Sequence, residues 1–198
     1  MAALELQAFI TKHAPHERVK PALSALVESY RGVLPDALLE LWARVGLGRY
    51  GGGLIQLVNP DEYKPVLYGW LMLDTPNPDR VPIAISAFGK LLYYRKLAEG
   101  AEDVAFIDPH WRSTDVVNWS LVDFFNESMC DDEIVEDVLQ SDLFAECGTK
   151  YGALMDDEIY FYVPALALGG SEDVESMGKG NALVHLELLL HACRRTRL

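Results

Sequence analysis

Cysteines, basic residues and long apolar runs are all scarce in this 198-residue sequence, and each scarcity excludes a class of protein. The three cysteines, Cys130, Cys147 and Cys193, form no close pair, so we expect reduced thiols in the core rather than the disulfides of a small secreted domain. The longest run without a charged residue is the 13 residues Ile159–Ser171, whereas about 20 apolar residues are needed to cross a bilayer. We therefore expect no transmembrane helix and no membrane partner.

A secretion signal is the next feature that the sequence lacks. The first residues, MAALELQAFITKHAP, include Glu5 and Lys12 and show no basic region followed by an unbroken apolar stretch. We accordingly expect a cytoplasmic protein.

Basic side chains are scarcest in the second half of the chain. Residues 1–99 contain 11 basic and 10 acidic side chains, whereas residues 100–198 contain 6 and 20, so the two halves have net charges of +1 and −14. An acidic surface repels phosphates, and we therefore expect no direct nucleic-acid binding. The same surface attracts a cationic partner and accelerates its association.

Motifs for phosphate binding and nucleophilic catalysis are missing. Gly46–Gly51 has the letters of the dinucleotide fingerprint, but a predicted helix precedes it and a predicted strand follows, which is the reverse of the required order. We interpret these glycines as a helix C-cap and turn. The sequence therefore predicts no catalytic residues and no cofactor.

Metal binding has only weak candidates in the sequence. His185, His191 and Cys193 are close along the chain, but their spacing does not place them on one face of a helix. A remote alternative is a metal-dependent hydrolase that uses the consecutive acids of a loop, Asp156, Asp157 and Glu158. Three consecutive acids are more often solvated, so we expect no metal and no enzyme.

The periodicity of apolar residues predicts an α+β fold with a small twisted, mainly antiparallel sheet flanked by helices. In the first part of the chain we expect a helix over Pro35–Val45 with Trp42 buried and a strand over Leu54–Val58. A second helical segment begins at Asn59-Pro60; Pro65 limits its first turn, and Val66, Leu67, Trp70 and Leu71 repeat the spacing of a buried stripe. An apolar period of two then predicts four strands, Pro82–Phe88, Lys90–Lys96, Val104–Ile107 and Val116–Trp119.

Helices dominate the remainder of the predicted fold. Ser120 and Asp131 are N-cap residues for two helices, and two more are expected over Ser141–Tyr151 and Ala182–Arg195. Between these two lies Ile159–Leu168, which we predict to be a buried extended segment that includes Tyr160, Tyr162 and Pro164 and ends in a turn at Gly169-Gly170. The polar turn at Asp74–Val81 divides a mainly helical subdomain, residues 1–80, from a sheet-plus-helices subdomain, residues 81–198.

Several phrases of the sequence, in order, resemble two-domain bacterial immunity proteins of type VI secretion systems, in which a GAD-like domain precedes an uncharacterised C-terminal immunity domain. The phrases are Leu34–Trp42, Val45–Gly48 and Leu57–Tyr63 for the first domain, and Ala87–Tyr94 and Asp157–Gly170 for the second. The layout is also loosely similar to immunity proteins typified by the yeast cell-wall regulator Smi1/Knr4. The resemblance implies a protein that binds and neutralises a cognate secreted toxin, a DNase in the best-known members.

The resemblance supplies no binding residues, so the expected interface comes from charge. We predict that the acidic half meets the basic surface of the toxin nuclease, through a helix face and the following loop, namely Asp132, Glu133, Glu136, Asp137, Asp156, Asp157 and Glu158. If the acids serve only solubility, the interface moves to the loop Arg49–Gly53, with Arg49 and Tyr50 exposed. A general cytoplasmic interaction or regulatory protein of the same fold is the alternative function, and the sequence leaves the oligomeric state open.

Overall fold

A six-stranded antiparallel sheet organises the protein, of which the computed structural model describes residues 3–195. Its strands are neighbours in the order in which they occur along the chain: Gly48–Tyr50 (β1), Ile55–Leu57 (β2), Arg80–Ser86 (β3), Leu91–Lys96 (β4), Glu102–Asp108 (β5) and Ser113–Asn118 (β6). A separate antiparallel hairpin consists of Glu158–Tyr162 (β7) and Met177–Asn181 (β8). The architecture confirms the predicted α+β class.

Eight α-helices flank the two sheets within residues 3–195. They are Gln7–Lys12 (α1), Ser24–Ser29 (α2), Asp36–Arg44 (α3), Pro60–Trp70 (α4), Leu121–Asn126 (α5), Asp132–Leu139 (α6), Ser141–Tyr151 (α7) and Ala182–Arg195 (α8). The predicted N-caps are confirmed, since Asn59, Ser120 and Asp131 each accept a hydrogen bond from a backbone N–H of the following helix. None of these helices has the length and apolar character that a membrane span requires.

Three local predictions differ from the structure. Pro65 does not limit a first turn but lies inside α4, which continues to Trp70 because its Val66 and Leu67 pack into the core. The glycine turn after α3 leads into β1, a strand that the sequence analysis did not predict. Pro164 is exposed rather than buried, since β7 ends at Tyr162. These corrections all concern residues whose position depends on contacts distant in sequence.

Both faces of the large sheet are covered. On β4, Leu92 and Tyr94 point into a core formed with α1, α3, α5 and α6, whereas Leu91 and Tyr93 point into a second core formed with α4 and α8. The first core joins the N-terminal part of the chain to its second half, because Phe9 of α1 packs edge-on against Phe125 of α5 with ring centroids 4.8 Å apart. The predicted subdomains therefore share one hydrophobic core.

The sheet also continues across the predicted boundary at residues 80/81. Ile55 of β2 pairs with Ser86 of β3 in the same antiparallel ladder as the later strands. The division into residues 1–80 and 81–198 stays a prediction, and any such subdomains are joined by backbone hydrogen bonds as well as by packing.

Candidate functional site

Four of the acids predicted to meet a partner lie on the outer side of α6. The helix is held by Val135, Val138 and Leu139, which are buried in the first core on its other side. The outer acids and the first residues of α7 line an open depression, which we call the acidic groove and which comprises Asp132, Glu133, Glu136, Asp137, Ser141 and Asp142.

The charges of the acidic groove are only partly neutralised within the protein. Asp132 forms an ion pair with Lys12, and that contact holds the pKa of the Asp132 carboxyl below its usual value. Glu136 accepts hydrogen bonds from the Ser141 hydroxyl and from the backbone N–H of Asp142, which ties the start of α7 to α6. In the part of the chain that the structure describes, Glu133, Asp137 and Asp142 form no ion pair. The groove therefore presents net negative charge to solvent.

A second cavity of about 280 Å³, which we call the polar cleft, collects side chains from distant parts of the sequence. It lies between the β1–β2 hairpin, the start of α4 and the loop that precedes β7, and its charged and hydrogen-bonding side chains are His16, Arg18, Arg49, Gln56, Asn59, Glu62, Tyr63, Asp156 and Asp157. Three predicted partner-binding residues, Arg49, Asp156 and Asp157, are thus brought together, but away from the residues that line the acidic groove.

Arg49 forms the back of the polar cleft. Its Nε donates a 2.8 Å hydrogen bond to Asp156, its Nη1 donates to the carbonyl of Leu154, and its Nη2 lies 3.3 Å from Nδ1 of His16. The predicted exposure of Arg49 is wrong: only 5 % of the residue is accessible. The cause is the chain before β1, where the His16 N–H donates to the Arg49 carbonyl and covers this edge of the sheet.

Tyr50 is also buried, contrary to the expected exposed loop. Its hydroxyl donates a 2.7 Å hydrogen bond to the carbonyl of Gly46, and its ring packs against Phe9 with centroids 5.3 Å apart. A side chain enclosed in this way belongs to the core and is not accessible to a partner.

The three consecutive acids before and in β7 contact different groups. Asp156 faces Arg49 and lies 4.0 Å from Arg18, whereas Glu158 accepts a hydrogen bond from the Met155 N–H and lies 3.9 Å from Lys179. Asp157 faces the polar cleft. Since the carboxylates diverge, they do not form the metal site of the hydrolase alternative, and no group of three or more metal-ligand side chains occurs within residues 3–195.

Asp157 combines an unusual backbone with an unneutralised carboxylate. Its φ is +61°, in the left-handed region, and its carbonyl accepts a 2.7 Å hydrogen bond from the N–H of Ala182. Partial burial, and the charges of Glu62 and Asp156, raise the pKa of the Asp157 carboxyl. Its neighbours in the cleft therefore disfavour its negative charge.

Sequence reasoning missed Tyr63 and Glu62 as site residues. They lie next to each other near the start of α4, inside the phrase Leu57–Tyr63 that carried part of the family resemblance. Only 2 % of Tyr63 is accessible, yet its side chain reaches the cleft, where burial and the charges of Asp157 and Glu62 raise its pKa. No local sequence pattern predicts this contact, because Glu62 and Asp157 lie far apart in the chain.

The residues considered for metal binding near the C-terminus also diverge. His185 is buried and stacks on Phe161 at a centroid distance of 4.0 Å, His191 is exposed, and Cys193 accepts a 3.0 Å hydrogen bond from Nε of Arg112. A second buried histidine, His110, lies near His185, and the centroids of the two rings are 5.9 Å apart. Of the three cysteines, Cys147 and Cys193 are buried and Cys130 is half-buried.

Comparison with known proteins adds two family matches and a match to a solved structure. The GAD-like domain model matches residues 5–103, and the model of the C-terminal part of the T6SS immunity protein Tdi1 matches residues 120–191. The crystal structure of Atu4351 from Agrobacterium tumefaciens has a TM-score of 0.70 and 21 % sequence identity, over 91 % of this chain and 86 % of that chain. At that identity the likeness concerns the fold. No curated protein matches the chain.

Proposed function

Because the chain belongs to the GAD-like family and ends in a domain of the T6SS immunity protein Tdi1 type, we propose that it neutralises a cognate type VI secretion toxin by binding it. The family supports an immunity protein of a type VI secretion system. The proposal adds that the toxin is a DNase with a basic surface, that inhibition is by occlusion rather than by catalysis, and that it takes place in the cytoplasm.

The acidic groove is the observation that supports this mechanism. A nuclease must attract phosphates, so its substrate path is positively charged, and an exposed negative surface on its inhibitor is complementary to it. Such complementarity mainly raises the association rate, which reaches about 10⁸–10⁹ M⁻¹s⁻¹ for steered pairs at low salt, compared with about 10⁵–10⁶ M⁻¹s⁻¹ without steering. An inhibitor that covers a DNA-binding surface in this way needs no chemistry of its own and no contact with DNA.

The test is charge reversal at acids that have no internal role. In a Glu133→Lys, Asp137→Lys variant, we expect association with the toxin nuclease encoded by the neighbouring gene to slow at least tenfold at low salt. The difference should shrink as salt rises, because salt screens the interaction. Stopped-flow association rates measured across a series of salt concentrations provide the readout.

A control variant tests whether the effect comes from the acidic groove or from the net charge of the whole protein. The variant Asp74→Lys, Glu187→Lys makes the same change in net charge at exposed positions outside the groove. We expect it to associate nearly as fast as the wild type. Equal rates for wild type and both variants would show that the groove does not steer the toxin, and failure of the wild type to bind any such nuclease would refute the proposed function itself.

A further inference from the structure

The polar cleft contains charges that the protein itself does not balance. Asp156 is opposite both arginines of the cleft, at 2.8 Å from Arg49 and 4.0 Å from Arg18. Glu62 and Asp157, by contrast, form no ion pair with any residue in 3–195; Glu62 only accepts a 2.8 Å hydrogen bond from the side-chain amide of Asn59. Two carboxylates therefore line the cavity without an ion pair to either of its arginines.

Tyr63 is an independent sign that this cavity takes a ligand. It is almost completely buried, and it lines the cleft beside the two carboxylates. Its hydroxyl makes no hydrogen bond to another described residue and is open to the cleft. The backbone around the site is fixed, because α4 is capped by Asn59 and the loop is tied to α8 through the carbonyl of Asp157. The cleft therefore holds the carboxylates of Glu62 and Asp157 near the Tyr63 hydroxyl before any ligand binds.

We infer that the polar cleft receives an arginine or lysine side chain of the toxin, with the cationic group placed between Glu62 and Asp157 and donating a hydrogen bond to the Tyr63 hydroxyl oxygen. The inference rests on the proposed function, and it specifies a contact on the toxin outside the acidic groove. A volume of about 280 Å³ accommodates one long side chain but not a folded segment. The ion pair between the buried Arg49 and the exposed Asp156 forms part of the wall and is not itself the receptor.

This arrangement predicts an anchor rather than a steering surface. A cation enclosed by two carboxylates and a hydroxyl forms charge-assisted hydrogen bonds, which are stronger than neutral ones. Loss of such a contact in the centre of an interface acts mainly on the dissociation rate, whereas loss of exposed charges acts on the association rate. The two surfaces of the protein are therefore distinguishable by kinetics.

The first experiment uses a cation without the toxin. Methylguanidinium is titrated into the full-length protein while backbone amide shifts are followed by NMR, with tetramethylammonium as a control of equal charge that has no N–H donors. We expect saturable shifts at Tyr63 and Asp157 with methylguanidinium only, weakened at least fivefold by Asp157→Asn. Asparagine tolerates the left-handed backbone of this position, so the variant retains the loop.

The second experiment measures toxin binding by surface plasmon resonance for Tyr63→Phe, Glu62→Gln and Asp157→Asn, with the exposed acid Glu187→Gln as the charge-matched control. We expect the cleft variants to dissociate at least tenfold faster with little change in association rate, and the control to match the wild type. Unchanged melting temperatures establish that the variants are folded.

The outcomes separate this inference from the proposed function. If the wild type binds the toxin tightly and the cleft variants dissociate at the wild-type rate, the inference is overturned and the immunity function stands. If the wild type does not bind the toxin, the proposed function fails, and the methylguanidinium titration still decides whether the cleft binds a cation. The absence of any shift with methylguanidinium overturns the inference in either case.

Discussion

At the scale of single residues, Trp42 is central to the larger core. It is fully buried, and Tyr30 packs edge-on against it with ring centroids 5.8 Å apart. Its indole N–H has no hydrogen-bond partner among the described residues, so its contribution comes from packing. Trp42 lies on the apolar face of α3 together with Leu38 and Leu41, and this face packs into the core.

We predict that Trp42→Ala lowers the free energy of unfolding by about 3–5 kcal/mol, because a large side chain leaves a cavity that the surrounding core fills only in part. Urea denaturation followed by circular dichroism measures the change. Trp119→Ala is the matched control, because 69 % of Trp119 is accessible, and we expect an effect below about 0.5 kcal/mol there. Comparable losses in both variants would contradict the packing model.

The buried histidines predict how stability depends on pH. Burial, with a smaller contribution from the neighbouring His110, lowers the pKa of His185 to about 4. The unfolded chain, with an ordinary histidine pKa of about 6.5, binds the proton more readily between these values, so stability falls as the pH falls through about 6.5. We expect His185 to contribute a loss of about 2 kcal/mol between pH 7 and pH 5.

The variant His185→Phe isolates this contribution. Phenylalanine retains the stack on Phe161 but cannot titrate, so the loss of stability between pH 7 and pH 5 should shrink by most of that amount. His191→Phe, at an exposed position of the same helix, should leave the pH dependence unchanged. Equal pH slopes in wild type and His185→Phe would show that another group dominates.

At the scale of elements, local signals predicted the helices of the second half well. The caps at Ser120 and Asp131 follow from side-chain chemistry within one turn, which needs no distant contact, and the bounds of α7 and α8 agree with the prediction. β1 could not be predicted in this way, because its pairing with β2 compensates for a glycine-rich sequence of low strand propensity. Pro65 was misjudged for the same reason: packing of α4 outweighs one missing hydrogen bond.

Asp131 provides a test of element stability. Its carboxylate accepts hydrogen bonds from the N–H groups of Glu133 and Ile134 at 2.9 and 3.1 Å. We expect Asp131→Ala to lower the free energy of unfolding by about 0.5–2 kcal/mol, since two donors at the start of α6 lose their partner. Asp132→Ala, which removes an exposed ion pair with Lys12, should cost less than Asp131→Ala does. Thermal denaturation of both variants gives the comparison, and a smaller effect at Asp131 would contradict the cap.

At the scale of the whole molecule, the sequence predicted the acidic groove but not the polar cleft. The acids of α6 could be assigned to a solvent face because their spacing is local. Arg49 and Asp156 form a pair that only the tertiary fold creates, and Tyr63 enters the site because α4 lies beside the loop before β7. Local patterns in the sequence do not predict contacts between residues that are so far apart in the chain.

The shared core predicts that the first subdomain does not fold alone. A fragment of residues 1–80 lacks the ladder partner of β2 and loses the contact between Phe9 and Phe125. We expect no cooperative thermal transition and weak near-ultraviolet circular dichroism for this fragment, in contrast with the full chain. A sharp transition would instead establish an independent subdomain ending near residue 80.

Residues on the outer side of α6 can be substituted without altering the buried residues on its inner side. Val135, Val138 and Leu139 hold the helix to the core, whereas the side chains of Glu133 and Asp137 form no ion pair with any residue that the structure describes. Substitutions at such exposed positions usually alter stability by less than about 0.5 kcal/mol. Under the proposed function, point mutations on the outer side can therefore adapt the protein to a diverging toxin, while the inner side preserves the fold.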